Sequence, residues 1–129
     1  MRAHLRVARP ASDLARTERM YCEAFGFSVL ARFQDHQGFD GVMLGNAGMD
    51  YHFEFTQCAG HPVTPSPTSE DLTVFYLPDR QVWQAACDRA EASGFIRVTS
   101  FNPYWDVSGR TYEDPDGYRI VLQHGAWTA

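Results

Sequence analysis

The stretch Glu23–Phe27, EAFGF, recurs later in the chain as Glu91–Phe95, EASGF. Each copy ends a helical pattern with a glycine and passes directly into a strand pattern, as a glycine just beyond a helix allows. Around both copies the predicted order is strand, helix, strand, strand, strand. Two unrelated helices that share a glycine cap could produce the same match, but the shared order of elements favours duplication of a whole module.

The first module is assigned to residues 1–56. A short strand, Leu5–Ala8, precedes a turn in which Ser12-Asp13 supplies the N-cap of a helix, and Gly26 ends that helix. The apolar residues of the helix are three or four apart, which places them on one buried face. The three strands that follow are predicted at Phe27–Phe33, Phe39–Leu44 and Tyr51–Thr56.

The second module is assigned to residues 71–125. The two modules together are expected to form one domain, residues 1–129. Residues 57–70, rich in proline, serine and threonine, have the composition of a linker. After a strand at Leu72–Leu77, Pro78-Asp79 caps a second helix. The remaining strands are predicted at Phe95–Thr99, Arg110–Glu113 and Tyr118–Gln123.

Charge and composition exclude several classes of partner. The chain has 129 residues and a net charge of −5, and its 11 basic residues are scattered arginines. Binding to nucleic acid or to an anionic membrane needs clustered positive charge, so neither partner is expected. No signal-peptide pattern or membrane-length apolar run is present, and the three cysteines form no Cys-x-x-Cys pair, so we expect a cytoplasmic protein with reduced thiols.

The turn Asp114–Gly117, DPDG, delivers the last strand of the second module. Proline fixes φ and Asp-Gly closes a tight turn, which sets the register of Tyr118–Leu122. This hairpin resembles the final hairpin of proteins in the vicinal oxygen chelate superfamily, which includes glyoxalases, bleomycin-resistance proteins and extradiol dioxygenases. The duplicated module and the helix that begins at Asp13-Leu14 resemble the same superfamily. The resemblance covers nearly the whole chain. It implies an α+β fold in which two βαβββ modules form a curved mixed sheet around a cleft.

Given that fold, strand alternation divides the side chains between a helix-covered face and a cavity face. Leu5 and Val7 are expected to pack under the first helix, and Tyr51, Phe53 and Phe55 are expected in the core. The residues expected to face the cavity are Arg6, Ala8, His52, Glu54 and Thr56 in the first module and Leu72, Val74, Tyr76, Arg119, Val121 and Gln123 in the second.

The resemblance also implies where a metal would lie. Metal-dependent members place His, Glu or Gln at one inward position on the first and fourth strands of each module. Carried onto this chain, those positions are Arg6, Glu54, Leu72 and Val121, of which only Glu54 could bind a cation. His52 could add a second ligand from the same strand. We expect no metal and no other cofactor, with Arg6 and Glu54 paired where the ion would lie; a metal centre is the alternative.

Aromatic residues supply the rest of the candidate site. Tyr104 and Trp105 lie in a predicted loop, 102–106, where they either wall the pocket or plug the core. If the protein catalyses a reaction without metal, His52 is the best general base, with Glu54 orienting it or acting as the acid. The expected ligand-binding residues are Arg6, His52, Glu54, Tyr76, Tyr104, Trp105, Arg119 and Gln123.

Three functions are compatible with the sequence. The first is a protein that binds a small molecule, an aromatic or anionic metabolite or antibiotic, because Arg6 and Arg119 favour an anion and the aromatic rings favour a flat body. The alternative is an enzyme: a metal-dependent lyase, isomerase or dioxygenase, or a metal-free acid/base catalyst. The third is a structural or regulatory protein with a vestigial pocket. The resemblance further implies a homodimer.

Overall fold

A computed structural model describes residues 1–129, which form two compact units, Met1–Pro65 and Ser66–Ala129. Each unit contains one four-stranded mixed sheet and follows the order strand, helix, strand, strand, strand, with one short extra helix in the second unit. The α+β fold of two βαβββ modules expected from the sequence is therefore confirmed. None of the three helices has the length and apolarity needed to cross a lipid bilayer.

The first unit forms a sheet in the order β1-β4-β3-β2, in which β1 runs parallel to β4 and the other pairs are antiparallel. The Asp13 side chain accepts the backbone N–H of Arg16 and so caps α1, while Gly26, at φ 67°, ends it in the left-handed region that glycine adopts without strain. The elements are β1 (Leu5–Pro10), α1 (Leu14–Phe25), β2 (Ser28–His36), β3 (Phe39–Gly45) and β4 (Tyr51–Cys58).

Helix α1 covers one face of this sheet, where it packs on β2, β3 and β4. Phe53 and Phe55 of β4 are buried on that face, and the Tyr21 ring of α1 lies 4.8 Å from the Phe55 ring. Leu5, in contrast, is 58% exposed, so the prediction that it packs under the helix is wrong. The reason is its place in the sheet: β1 is an edge strand, and α1 lies over the other three.

The second unit repeats the arrangement in the order β5-β8-β7-β6, with β5 parallel to β8. Asp79 caps α2 by accepting the N–H of Val82. Trp83 of α2 donates from its indole Nε1 to the carbonyl oxygen of Leu122 at 2.8 Å and so fixes the helix to β8. The elements are β5 (Leu72–Leu77), α2 (Arg80–Ala92), β6 (Ile96–Val98), α3 (Tyr104–Val107), β7 (Gly109–Glu113) and β8 (Arg119–His124).

The Asp114–Gly117 turn holds β8 in register through one carboxylate. Oδ1 of Asp114 accepts the backbone N–H groups of Asp116 and Tyr118, each at 2.9 Å, and Gly117 adopts φ 89°. A side chain with a Cβ would be strained at that φ, so the turn depends on its glycine.

Several boundaries differ from the sequence-based assignment. Strand β2 extends to His36 and β4 to Cys58, which lies in the segment assigned to the linker, whereas β6 is only Ile96–Val98. The helix α3 begins inside the predicted loop at 102–106 and ends at Val107. Its four residues are too few for apolar periodicity to reveal. Asn102 Oδ1 accepts the N–H of Tyr104 at 3.1 Å just before the helix.

Candidate functional site

The face of the first sheet that α1 leaves uncovered carries a cluster of polar side chains. Arg6 of β1 is in register with His52 of β4, and Ala8 is in register with Glu54. Because residues two apart on a strand share a face, Arg6, His52 and Glu54 lie together, opposite the buried Phe53 and Phe55. We call these three residues the Arg6 cluster.

Arg6 connects the other two members of the Arg6 cluster. Its Nε donates to His52 Nε2 at 2.9 Å, and its Nη1 lies 3.3 Å from Glu54 Oε2. The prediction that Arg6 and Glu54 approach within ion-pair distance is confirmed. The two partners differ in exposure, since the Arg6 side chain is 48% exposed and the Glu54 side chain only 13%. The guanidinium can therefore still be reached from solvent while the carboxylate is largely enclosed.

His4 adds a contact that the sequence analysis missed. His4 Nε2 lies 2.5 Å from His52 Nδ1. A guanidinium always donates, so His52 Nε2 accepts from Arg6; neutral His52 then carries its proton on Nδ1 and donates it to His4. Strand alternation could have predicted this contact, because His4 is two residues before Arg6 and shares its face.

The protonation of His52 is biased by its surroundings. Partial burial lowers the pKa of His52, the positive charge of Arg6 lowers it further, and Glu54 opposes this shift by raising it. A lowered pKa favours the neutral ring near neutral pH. That is also the only form that can accept the hydrogen bond from Arg6.

A pocket of about 370 Å³ lies at the ends of β1 and β4, within the first unit. Pro10 and Thr56 come from the same alternating sets as Arg6 and Glu54, so the pocket continues the uncovered face of the sheet. Phe39 and Val63 add apolar walls, Val63 from the segment that follows β4. The volume is within the range typical of small-molecule sites, roughly 300–1,000 Å³.

In the second unit the predicted cavity residues also share one face, opposite α2. Arg119 is in register with Leu72, and Gln123 is in register with Tyr76. Arg119 is already paired, because its Nε donates to Glu113 Oε2 at 3.0 Å. Gln123 is only 8% exposed, and its buried Oε1 has no hydrogen-bond partner.

Tyr104 and Trp105 lie on α3, with their rings 4.9 Å apart and nearly perpendicular. Tyr104 is 60% exposed, and no residue of α3 is buried. The interpretation of this segment as a plug in the core is therefore wrong. The short helix instead lies on the surface, with Val107 82% exposed and the backbone oxygen of Trp105 close to Gly109.

The residues at the four family metal positions do not fit a metal centre. No group of three or more His, Cys, Asp or Glu side chains in this chain could hold a metal ion. In the first unit Arg6 donates to both His52 and Glu54, which would otherwise be ligands. Leu72 and Val121 in the second unit have no donor atom.

The fold defines the class of protein: two βαβββ modules, each with one face left open by its helix, as in the vicinal oxygen chelate superfamily. Glyoxalase I of Leishmania major is similar in structure, with a TM-score of 0.72 at 20% identity over 97% of this chain and 88% of that chain. TnmS3, described as an antibiotic-binding protein from Streptomyces sp. CB03234, gives a TM-score of 0.65 at 22% identity over 98% and 97%.

Sequence comparison places the chain more narrowly. Residues 5–56 match the YycE-like N-terminal domain and residues 70–124 match the YycE-like C-terminal domain. YycE of Bacillus subtilis, described as uncharacterized, is 41% identical over 122 residues, which is 95% of this chain and 88% of the relative. A crystal structure of a YycE protein from Bacillus subtilis is similar, with a TM-score of 0.89 at 39% identity over 99% of this chain and 93% of that chain. That protein is described as of unknown function, with a glyoxalase or fosfomycin resistance protein suggested. The chain belongs to the YycE-like family.

Proposed function

We propose that this chain is a small-molecule-binding protein of the glyoxalase and bleomycin-resistance type. It holds its ligand on the uncovered face of the first unit, without a metal or another cofactor, and Arg6 is the anchor. The observation that carries the proposal is the Arg6 cluster, in which an arginine occupies a family metal position and donates to the two neighbouring side chains that could have been ligands.

Arg6 is suited to bind an oxygen acceptor of the ligand. Its Nε and Nη1 are engaged by His52 and Glu54, which fix the plane of the guanidinium, and Nη2 has no protein partner. A half-exposed guanidinium held in one orientation loses little conformational entropy when it binds an oxygen. A carboxylate is a matching group, because a hydrogen bond between the charged guanidinium and a charged oxygen is stronger than one to a neutral acceptor.

Two arginines predicted from the sequence could bind an anionic group, and the structure distinguishes between them. Arg6 and Arg119 were both expected to favour an anion. Each arginine has a carboxylate partner, Glu54 for Arg6 and Glu113 for Arg119. The Arg119 side chain is only 16% exposed, whereas the Arg6 side chain is 48% exposed and its ion pair is longer, at 3.3 Å against 3.0 Å. Recognition of an anion is therefore assigned to Arg6.

The neighbouring pocket supports a ligand with an apolar body. Its walls include Pro10, Phe39 and Val63, and its volume is about 370 Å³. An aromatic or polyketide-like acid would place its carboxylate at Arg6 and its rings against these walls. The similarity in fold to an antibiotic-binding protein, TnmS3, is consistent with such a ligand.

The geometry favours binding over acid/base catalysis by His52 and Glu54. Both ring nitrogens of His52 are engaged, Nε2 by Arg6 and Nδ1 by His4. A general base needs a free lone pair within reach of the substrate proton, and His52 would have to give up its bond from Arg6 to provide one. Catalytic roles for His52 and Glu54 are the second candidate, and they require that rearrangement.

The test is a titration with matched pairs of aromatic acids and their amides, followed by thermal stabilisation and ligand-detected NMR. We expect an acid to bind more tightly than its amide, and Arg6→Gln to weaken acid binding about tenfold or more, since a charged hydrogen bond contributes roughly 1.5–3 kcal/mol. The control is Arg19→Gln, which removes an arginine paired with Glu23 on the surface of α1. Equal binding of acid and amide, or no effect of Arg6→Gln, would refute the assignment.

Elemental analysis of protein purified without a chelator or a His tag tests the metal-free part of the proposal. We expect less than stoichiometric Ni, Zn, Mn or Fe. A stoichiometric ion that is lost in Glu54→Gln would instead support the metal-dependent enzyme.

We also propose a cytoplasmic homodimer. Three free cysteines suit a reducing compartment, and closed two-fold dimers are the commonest oligomers. Sedimentation tests the dimer: a species of 14.6 kDa at micromolar concentration would contradict it.

A further inference from the structure

A second pocket, of about 350 Å³, lies in the second unit on the α2 side of its sheet. Its lining is polar and basic, whereas the pocket in the first unit has apolar walls. Three arginines come to it from three different elements: Arg80 from the start of α2, Arg97 from β6 and Arg110 from β7. His124 of β8 and Gln84 of α2 complete the polar lining.

The sheet register explains why these side chains converge. Arg97 is in register with Tyr112, and Arg110 is in register with Leu122. Tyr112 and Leu122 are both buried under α2, so the two arginines project from the same face as those core residues. Arg80 and Gln84, four residues apart on α2, share one side of the helix and close the pocket from above.

Arg119 in the same unit is paired with Glu113, whereas the three arginines of the pocket form no such ion pair; Glu91, which lies outside the lining, attracts Arg110 only as a more distant charge. Arg80 and Arg97 form no ion pair, and the guanidinium of Arg110 lies 4.9 Å from the centroid of the Trp83 ring. The one carboxylate in the lining, Asp106, accepts the backbone N–H of Ser100 at 3.1 Å and 3.3 Å through its two oxygens. The lining therefore keeps a surplus of two positive charges in a chain whose net charge is −5.

The floor of this pocket is held rigidly. The Trp83 indole donates to Leu122 O at 2.8 Å, and its ring stacks with His124 at a centroid distance of 5.4 Å. His124 in turn donates its backbone N–H to Ser108 O at 2.7 Å. A ligand would thus meet Arg110 and His124 already in place, which reduces the ordering cost of binding.

We infer that this pocket binds a small tetrahedral dianion, phosphate or the phosphate group of a phosphomonoester. Two surplus positive charges match a dianion, and guanidinium groups arriving from three directions match several oxygens of a tetrahedron better than the two oxygens of a carboxylate. The polar lining leaves little apolar surface for a larger hydrophobic body. The site is independent of ligand binding at Arg6.

The experiment is a titration of the full chain with inorganic phosphate at constant ionic strength, followed by amide and indole NMR signals. We expect saturable shifts at the Trp83 indole N–H and at the Ser108 and Gly109 amides. Arg80→Gln and Arg97→Gln should each raise the Kd about fivefold, since each removes one charged contact at an exposed position. Arg19→Gln, which removes the same charge from α1, should leave the Kd unchanged.

Comparison ligands make the result decisive. Sulfate should compete with phosphate, and acetate should not. Binding of glycerol phosphate tighter than phosphate would identify a phosphomonoester as the ligand, and equal binding would identify free phosphate; both outcomes support the site. Shifts that do not saturate, that acetate reproduces, or that persist in both Arg80→Gln and Arg97→Gln would overturn it. The two substituted side chains are exposed and unpaired, so both variants should fold, as an unchanged amide spectrum without ligand would verify.

Discussion

The two modules share an order of elements and a strand register but carry different chemistry on the faces that their helices leave uncovered. The pairs Arg6–His52 and Ala8–Glu54 in the first correspond to Leu72–Arg119 and Val74–Val121 in the second. The first set is a polar cluster, whereas Val121 is completely buried. Caps, turns and the helix-covered face therefore maintain the duplicated fold, while the opposite face can change its function.

Exchanging the side chains at positions 54 and 121 should change the free energy of unfolding most, and by different amounts at the two positions. Val121→Glu places a carboxyl group at a position that is 0% exposed, beside an Arg119 that Glu113 already occupies, and should destabilise the chain by about 3–5 kcal/mol. Glu54→Val leaves Arg6 half exposed and hydrated, and should cost less than about 1 kcal/mol. Denaturant unfolding of both variants measures the difference.

Equal losses of stability in the two variants would contradict this difference between the two modules. A large loss in Glu54→Val would mean that the Arg6–Glu54 pair holds the first sheet together, in which case a binding role would need other support. A small loss in Val121→Glu would mean that the uncovered face of the second sheet admits water.

A second prediction concerns the glycines that stand at corresponding places in the two sheets, Gly41 opposite Thr56 and Gly109 opposite Gln123. A Cβ on Gly109 would lie 2.5 Å from Gln123 Oε1 and 2.8 Å from the backbone oxygen of Trp105. A Cβ on Gly41 would meet only the ring of Phe33, a half-buried side chain that can turn aside.

Gly109→Ala should therefore destabilise the chain by about 1–3 kcal/mol, and Gly41→Ala by less than about 1 kcal/mol. Thermal and denaturant unfolding of the two variants provide the measurement. If Gly41→Ala proved the more costly, the Phe33 ring would have to be held far more firmly than its partial exposure indicates.

The sequence predicted the fold well because the decisive signals are local. The cap at Asp13, the glycine at 26 and the Asp114–Gly117 turn each set a boundary by their own backbone chemistry, and the alternation in β4 assigned Phe53 and Phe55 to the core. Alternation along β1 and β4 also places Arg6 and Glu54 on one face from the sequence alone. Leu5 was misplaced, since a strand pattern does not show how far a helix extends over a sheet.

The contacts between side chains were harder to predict. Glu113 was not recognised as the partner of Arg119, and the role of His4 in orienting His52 was missed, because both depend on rotamers across neighbouring strands. The basic pocket beside α2 was also missed, since Arg80, Arg97 and Arg110 are scattered in sequence and meet only when α2 is placed on the sheet. Clusters of charge along the sequence do not reveal arginines that only the fold brings together.

The smallest expected effect is a pH dependence at His52 in the first module, whose counterpart in the second module is Arg119. Partial burial, followed by the charge of Arg6, lowers the pKa of His52 in the folded chain. The unfolded chain then binds more protons below its own histidine pKa, about 6.5, so the contribution of His52 to stability is complete above that pH and is lost as the pH falls through the folded-state pKa.

An NMR titration of the imidazole Cε1–H signals, assigned with a His4→Gln variant, measures this directly. We expect His52 to titrate below the free-histidine value and Arg6→Gln to raise its pKa, because glutamine can donate a hydrogen bond to Nε2 but has no charge. Across the same range the stability of wild type should fall more steeply with acid than that of His52→Gln. A His52 pKa at the free value, or one that Arg6→Gln leaves unchanged, would mean that Arg6 does not hold the ring and that the Arg6 cluster is not a preformed site.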